Sequence, residues 1–172
     1  MFKLTLSIGI FAIASYIGFI YGETFRKRQN QLKEILKALV LLKNDVIQGA
    51  TPLIEALGNL DRKLDDPLCS LINSIKKKLI EGNIDSIYDA TLEVYEGIKD
   101  EFYLEEYDLK LMKDFFKSLG ESGVYGQEAL FNMTIEEVKI NLEDANECAK
   151  KNIKLYRYLG MCLGAMVVIF LI

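Results

Sequence analysis

The sequence predicts an all-α protein, an antiparallel bundle of about six helices in which the two long terminal helices continue into transmembrane segments. Apolar residues recur every three or four positions through the middle of the chain, as on the buried face of a helix. No stretch alternates apolar and polar residues in the manner of a half-buried strand. Both ends are long, uncharged and apolar, which is typical of membrane helices. The 172 residues suffice for one bundle and two spans.

The first transmembrane segment is predicted over residues 1–23. The 19 uncharged residues Leu4–Gly22 are long enough, at about 1.5 Å rise per residue, to cross a hydrocarbon core of about 30 Å. A cleaved signal peptide is the alternative. Tyr21, Gly22 and Glu23 stand where a cleavage site requires small residues, so a retained anchor is the favoured interpretation.

The second transmembrane segment is predicted over residues 155–172. The 15 uncharged residues that follow Arg157 reach only about 22 Å as a helix. They span the membrane if Leu155 joins the segment and the Arg157 side chain extends to the interface. For so short a segment, a buried core helix or an interfacial anchor remains the alternative.

Charge is strongly segregated along the chain. Residues 29–149 carry 13 Lys and Arg against 24 Asp and Glu, whereas the flanks carry 8 basic residues and one acidic residue. The acidic middle argues against nucleic acid as a partner, and the positive-inside rule places residues 24–154 in the cytoplasm. The candidate membrane-interface residues, suited to anionic lipid headgroups, are Arg26, Lys27, Arg28, Lys150, Lys151, Lys154 and Arg157.

Small residues recur at four-residue spacing in both terminal segments. They are Ala14, Gly18 and Gly22 in the first and Gly160 and Gly164 in the second. In lipid, this spacing lets two helix backbones approach closely, so we predict that these residues form the packing surface of the two spans. Glycine is also simply frequent in membrane helices, and the spacing alone does not separate the two interpretations.

The first half of the middle region predicts three helices. The first runs on from the membrane segment to about Ile47 and stops at Gly49, because no breaker interrupts its apolar stripe. Thr51-Pro52 and Asp66-Pro67 each resemble an N-cap followed by proline at the first helical position. Leucines at spacings of three or four residues from Leu53 to Leu64 follow the first of these signals, and Gly82 ends the third helix.

Three more helices are predicted in the second half. Asn83 or Asp85 is expected to cap the fourth, whose inward face includes Leu92 and Tyr95. The fifth extends from about Leu104 to Ser118 and ends at Gly120. Ser122-Gly123 opens the sixth, which continues into the second membrane segment.

The residues that most catalytic sites require are missing. The chain has no histidine, and it has no glycine-rich phosphate-binding motif, so zinc sites, hydrolytic triads and nucleotide sites lack their usual groups. Acidic pairs at residues 136–137 and 143–144 could supply half of a carboxylate metal site, but a solvated helix face explains them better. We therefore predict no catalytic, cofactor-binding or metal-binding residues. Cys69, Cys148 and Cys162 are expected to be reduced packing residues.

The densest acidic region lies between the fourth and fifth predicted helices, and we call residues 96–106 the acidic turn. Aromatic residues are interleaved with the carboxylates there, a combination common at protein interfaces. A docking surface for a basic partner is one interpretation, and a solvated turn is the other. The candidate partner-binding residues are Glu96, Asp100, Glu101, Phe102, Tyr103, Glu105 and Glu106.

Several segments distributed over the whole chain form a recognisable set. They are Ile17-Gly18-Phe19, Arg26 with the stripe from Leu32 to Leu42, Gly49-Ala50-Thr51-Pro52-Leu53, Glu55-Ala56-Leu57, Leu119-Gly120-Glu121-Ser122, Gly126-Gln127, and Lys154-Leu155-Tyr156-Arg157-Tyr158-Leu159-Gly160 with Gly164. Each motif alone is only moderately specific, but together they resemble the stage III sporulation protein AB family, which is related in fold to the cytoplasmic domains of type II secretion system F proteins. One departure is Gly123, where the family commonly has aspartate.

The resemblance implies a non-catalytic inner-membrane platform in the sporulation channel complex between mother cell and forespore. By analogy with secretion F proteins, it would couple a cytoplasmic ATPase, the stage III sporulation protein AA, to membrane partners. It implies location in the mother-cell membrane around the forespore and no small-molecule substrate. The alternative is a membrane-anchored enzyme that uses carboxylates alone, such as a metal-dependent hydrolase. A transporter subunit is disfavoured because neither span carries an ionisable residue at mid-depth.

Overall fold

The computed structural model describes residues 2–82, 84, 86–121 and 124–171, with side chains from 9 to 82, at 84, from 86 to 119 and from 126 to 170. Within these ranges it contains six α-helices and no strand, so the predicted fold class is confirmed. The elements are α1 (Phe2–Lys43), a π-helical turn (Asn44–Gln48), α2 (Leu53–Asn59), α3 (Leu68–Glu81), α4 (Ile87–Ile98), a 3-10 turn (Lys99–Glu101), α5 (Glu106–Glu121) and α6 (Val124–Leu171).

The chain forms two compact units. Residues 1–29 with 143–172 form the first, which we call the helix pair, and residues 30–142 form the second, which we call the bundle. Each terminal helix belongs to both units. Helix α1 continues without interruption to Lys43, and α6 begins at Val124 and continues without interruption into the helix pair.

The bundle closes around one apolar core. Phe131 on α6 is fully buried, and the Phe115 ring of α5 meets it edge-on with centroids 5.2 Å apart. Burying a side chain of this size stabilises a fold by about 1.5–3 kcal/mol. Successive helices contact one another, α2 with α3, α3 with α4, and α4 with α5, as short connections require. The other deeply buried side chains include Leu32, Leu57, Leu60, Leu71, Ile75 and Val138.

The helix starts differ in detail from the prediction. Pro52 and Pro67 each precede the first helical residue instead of occupying it, and neither start is capped by the side chain of its N-cap residue. Asp66 acts one turn further on, where its carboxylate accepts hydrogen bonds from the Ser70 backbone N–H and hydroxyl. At α4 the cap is Ser86, whose hydroxyl accepts from the Tyr88 N–H at 3.2 Å. The predicted caps Asn83, Asp85 and Ser122-Gly123 lie outside the described residues.

Of the glycines predicted to end helices, Gly82 is confirmed and Gly120 is wrong. Gly82 ends α3 with φ +70°, a left-handed conformation that glycine adopts without strain, so this prediction is confirmed. Gly120 does not end α5, which runs through Glu121, because a glycine within a helix costs only about 1 kcal/mol and tertiary packing overrides it. The regular part of α1 stops at Lys43, four residues before the predicted end.

The buried residues of α2 and α4 also differ in detail from the prediction. Helix α2 ends at Asn59, so the buried side chains Leu60 and Leu64 belong to the turn that follows it. In α4 the deepest residues are Ile87, Ala90, Thr91 and Val94, whereas Leu92 and Tyr95 are half-buried. Leu92 and Tyr95 are thus partly covered, and the deepest positions include Ala90, a small residue that contributes little to an apolar stripe.

Candidate functional site in the helix pair and the acidic turn

The two terminal helices approach most closely at two glycines. A Cβ atom on Gly18 of α1 would lie only 2.6 Å from the backbone carbonyl oxygen of Tyr156 and 3.0 Å from the Cα of Gly160. Conversely, a Cβ on Gly160 would lie 2.9 Å from the carbonyl oxygen of Ala14. Because real Cβ atoms essentially never approach backbone this closely, only hydrogen fits at either position.

The contact stays close towards Gly164 and loosens towards Gly22. A Cβ on Gly164 would meet the Phe11 ring at 2.9 Å and the Ala14 Cβ at 3.4 Å, and one on Gly22 would lie 3.5 Å from Ile153. The structure therefore brings together all five small residues singled out in the sequence, in one helix–helix contact. Gly9, on the same helix, has nothing within 4 Å of its Cβ position and takes no part in it.

Aromatic side chains extend this contact beyond the glycines. The Tyr156 ring stacks against Tyr21, with centroids 5.9 Å apart, and against Phe25, at 5.7 Å. One residue further on, the Arg157 guanidinium lies 4.9 Å from the centre of the Phe19 ring. Such aromatic clusters are typical of the level where a membrane helix meets the headgroups.

Large apolar side chains cover the outside of the helix pair. Such a continuous apolar exposure is typical of a surface that meets lipid or another protein. Among the described residues, one helix, residues 126–170, is long and apolar enough to cross a membrane. Helix α1, whose side chains are described only from residue 9, does not meet this criterion of length and hydropathy. The most exposed apolar side chains of the helix pair are Ile13, Tyr16 and Tyr21 on α1 and Tyr158, Met166, Ile169 and Phe170 on α6.

The basic residues of the helix pair differ in exposure. Lys150, Lys151, Lys154 and Arg157 are exposed on α6, and Arg26 and Lys27 are exposed on α1. Arg28 is only 4% exposed and interacts within the chain, so its charge is not presented at the surface.

In the bundle, the side chain of Gln31 on α1 holds the acidic turn, a role that the sequence did not indicate. The Gln31 amide donates to the backbone oxygen of Glu101 at 2.9 Å and accepts from the backbone N–H of Tyr103 at 2.8 Å. These two bonds fix the backbone of the turn on both sides of Phe102. No sequence pattern marks a glutamine for this role, because the contact joins residues some seventy positions apart.

The structure exposes the carboxylates of the acidic turn and packs its aromatic residues inward. Glu96, Asp100, Glu101, Glu105 and Glu106 are exposed, whereas Phe102 and Tyr103 are half-buried. The Phe102 ring packs on Tyr95 with centroids 5.4 Å apart. Burial raises the pKa of the Tyr95 phenol, with a smaller contribution from the nearby Glu96 charge. The phenol is therefore neutral at physiological pH, and the negative charge of the turn comes from its carboxylates.

A groove of ≈ 390 Å³ adjoins the acidic turn at Gln31. Glu34, Asp65 and Asp66 line it together with Lys33. The Glu34 carboxylate accepts from the Asp65 backbone N–H at 3.0 Å and pairs with Lys37 at 3.3 Å. Gln31 thus lies between the acidic turn, which it binds, and this second acidic segment.

Asp108 differs from its acidic neighbours because it is 1% exposed. One of its carboxylate oxygens accepts from the Glu105 backbone N–H at 3.0 Å, and the other accepts from the Asn141 side-chain amide at 3.0 Å. An acidic side chain at the third helical position that reaches back to the N-cap N–H is half of a capping box. Asp108 lies just beyond the acidic turn, and its position in the first turn of α5 is the sequence signal for a structural role.

No arrangement of metal ligands is found among the described residues, where no three His, Cys, Asp or Glu side chains converge. The cysteines Cys69, Cys148 and Cys162 are free thiols, of which Cys69 is half-buried and the other two are exposed. The predicted packing role was wrong for Cys148, whereas Cys162 lies in the segment predicted to cross the membrane.

Comparison with known proteins decides the family. The sequence model of the stage III sporulation protein AB family matches residues 3–172, which is nearly the whole chain. The chain belongs to the stage III sporulation protein AB family. Stage III sporulation protein AB of Bacillus subtilis (strain 168) is 23% identical over 171 residues, which is 99% of each chain. The AB-family resemblance inferred from the sequence motifs is thereby confirmed.

A solved structure supports the fold of the AB family for this chain. The structure of Stage III sporulation protein AB (SpoIIIAB) superposes with a TM-score of 0.66 at 22% identity. The match covers 72% of this chain and 97% of the solved one. Membership in the AB family makes this a stage III sporulation protein, and the candidate membrane helix agrees with membrane association.

Proposed function

We propose that this protein is a non-catalytic platform of the stage III sporulation complex, which couples a cytoplasmic ATPase to partners in the membrane. The observation that carries the proposal is the continuity of α6. One helix of 48 residues begins in the bundle at Val124 and ends in the apolar segment at Leu171. A continuous helix resists bending far better than a loop, so a force applied to the bundle has a mechanical route towards the bilayer.

In this proposal the helix pair lies in the cell membrane as two antiparallel spans. The close approach at Gly18 and Gly160 supports it, because small residues at helix contacts are the usual packing device where lipid replaces water. The exposed apolar side chains on both helices support it as well. The positive-inside rule then places the bundle in the cytoplasm, on the mother-cell side of the forespore membranes.

We propose the acidic turn as the surface that receives the ATPase, stage III sporulation protein AA. Two observations support this proposal. Gln31 fixes the backbone of the turn, and exposed carboxylates lie on both sides of Phe102, whose ring packs on Tyr95. A surface that is already ordered loses little entropy on binding, and complementary charge accelerates encounter with a basic partner.

The proposal predicts that charge reversal in the acidic turn separates the two proteins. The double variant Glu101→Lys, Glu105→Lys changes the charge of the turn by four units without touching the core, since both side chains are exposed. We expect it to weaken binding of the full chain to the ATPase by about tenfold or more at low salt. The measurement is co-purification in mild detergent, followed by titration of the solubilised chain with the ATPase.

A second double variant controls for net charge. Glu128→Lys, Glu137→Lys makes the same change on exposed positions of α6, and it should leave the affinity within about twofold. If the wild-type chain does not associate with the ATPase at low salt, or if both double variants bind equally well, the acidic turn is not the docking surface.

A further inference from the structure

Three basic residues of α6 form one stripe along the helix pair. Lys150, Lys154 and Arg157 stand at spacings of four and three residues, which places them on the same side of a helix. Lys151, the fourth basic residue of this segment, lies about 100° around the helix from Lys150. All three side chains of the stripe are exposed.

The charges of this stripe have no carboxylate partner in the part of the chain that the structure describes. Elsewhere on the protein, Lys37, Lys99 and Lys139 each pair with a glutamate three residues earlier. Within the described residues, Lys150, Lys154 and Arg157 form no ion pair, and the contact of a charged group in this stripe is that of Arg157 with the Phe19 ring. The stripe is therefore a row of uncompensated positive charge.

The register of the two helices fixes the depth of the stripe. Gly22, the last residue of the uncharged stretch of α1, lies beside Ile153, and Gly18 lies beside Tyr156. Lys154 is therefore level with the end of that stretch. Arg157 lies about one helical turn inside it, at the level of Phe19. If the pair spans a membrane, as proposed above, the stripe runs from the headgroups into the boundary with the acyl chains.

An isolated guanidinium at that depth is costly unless it meets an anion or extends towards water. A phosphodiester at the membrane surface is an anion at the right level. Arginine binds phosphate oxygens through two parallel hydrogen bonds, and contact with an aromatic ring restricts the guanidinium before binding. Soluble phosphate does not reach below the headgroups, so the depth of Arg157 favours a lipid.

We propose that Lys150, Lys154 and Arg157 bind the phosphate of an anionic phospholipid on the side of the membrane that faces the bundle. Arg157, lying on Phe19, holds the phosphate oxygens, and the two lysines lie above it towards the aqueous phase. This inference deepens the proposed function and rests on its membrane placement. It assigns a lipid class to one stripe of α6, whereas the positive-inside rule requires only basic residues and no bound lipid.

The test measures lipid retained by the full chain. The purified protein in neutral detergent is titrated with dioleoyl phosphatidylglycerol, with dioleoyl phosphatidylcholine, or with inorganic phosphate, and bound adducts are counted by native mass spectrometry. We expect phosphatidylglycerol adducts at about a tenfold lower lipid concentration than phosphatidylcholine adducts, and no phosphate adducts. The variant Lys150→Gln, Lys154→Gln, Arg157→Gln should lose the difference between the two lipids.

A matched variant removes three charges from the bundle, Lys63→Gln, Lys110→Gln, Lys117→Gln, all at exposed positions. It should keep the preference for phosphatidylglycerol. Equal retention of the two lipids by the wild-type chain overturns the lipid site, and so does inorganic phosphate that displaces phosphatidylglycerol.

Flotation with phosphatidylcholine vesicles distinguishes failure of the lipid site from failure of the proposed membrane placement. A chain that floats and resists carbonate extraction without preferring the anionic lipid retains its spans and lacks the site. A chain that does not float with any vesicle overturns both proposals.

Discussion

Replacing Gly18 by alanine is expected to open the helix pair, although it adds a single methyl group. The new Cβ would lie 2.6 Å from the Tyr156 carbonyl oxygen, which belongs to backbone and cannot rotate away. The helices must therefore separate, and the dispersion contacts along the seam from Phe11 to Ile153 weaken with them. Overpacking of this kind costs about 1–3 kcal/mol.

The same substitution at two other glycines of α1 supplies the comparison. Gly22→Ala places its methyl group 3.5 Å from Ile153, an ordinary contact, and Gly9→Ala meets nothing within 4 Å. All three variants gain the same helix propensity, so their differences report only the contact with α6. We expect the order of destabilisation to be Gly18 far above Gly22, and Gly22 close to Gly9.

Thiol reactivity measures the opening. The Ser15 hydroxyl oxygen is buried and has no hydrogen-bond partner among the described residues, so a Ser15→Cys thiol, in a chain whose native cysteines are replaced, is protected while the pair is closed. With Gly18→Ala, maleimide labelling in micelles should accelerate about thirtyfold, which corresponds to about 2 kcal/mol. Equal labelling rates in all three alanine variants would show that the two glycines do not hold the helices together.

This contact also marks the boundary of what the sequence could predict. The spacing of small residues predicted that Gly18 and Gly160 lie on the contact faces of their helices, because each face follows from the period of a single helix. The register between the helices did not follow, since it depends on which residues of two distant segments stand side by side. Without that register, Arg157 belonged with the headgroup lysines, and its place beside Phe19 was not foreseen.

The bundle shows the same division between local and long-range information. The αL glycine Gly82 was identified because its conformation is a property of one residue. Gly120 was misplaced because a single glycine costs a helix only about 1 kcal/mol and does not by itself end it. Gln31 was missed since nothing near it in the chain indicates the turn that it holds seventy residues later.

Removing the buried carboxylate of Asp108 is expected to destabilise the bundle more than any other change among its acidic residues. Asp108→Ala leaves the Glu105 N–H and the Asn141 amide without the acceptors that they have now. Each hydrogen bond to a charged group contributes about 1.5–3 kcal/mol, and a buried donor that loses its partner pays its desolvation cost. We expect a loss of about 3 kcal/mol in the free energy of unfolding.

Thermal unfolding of the detergent-solubilised chain, followed by circular dichroism, measures the loss. For a chain of this size, about 3 kcal/mol lowers the Tm by about 6–12 °C. Asp100→Ala and Glu106→Ala are the matched controls, because both carboxylates are exposed in the same region, and each should shift the Tm by less than about 2 °C. Asp108→Asn keeps one acceptor oxygen but turns an amide towards a neighbouring donor, so it should recover only part of the loss. A Tm for Asp108→Ala as high as that of the exposed controls would mean that the carboxylate does not bridge α5 and α6.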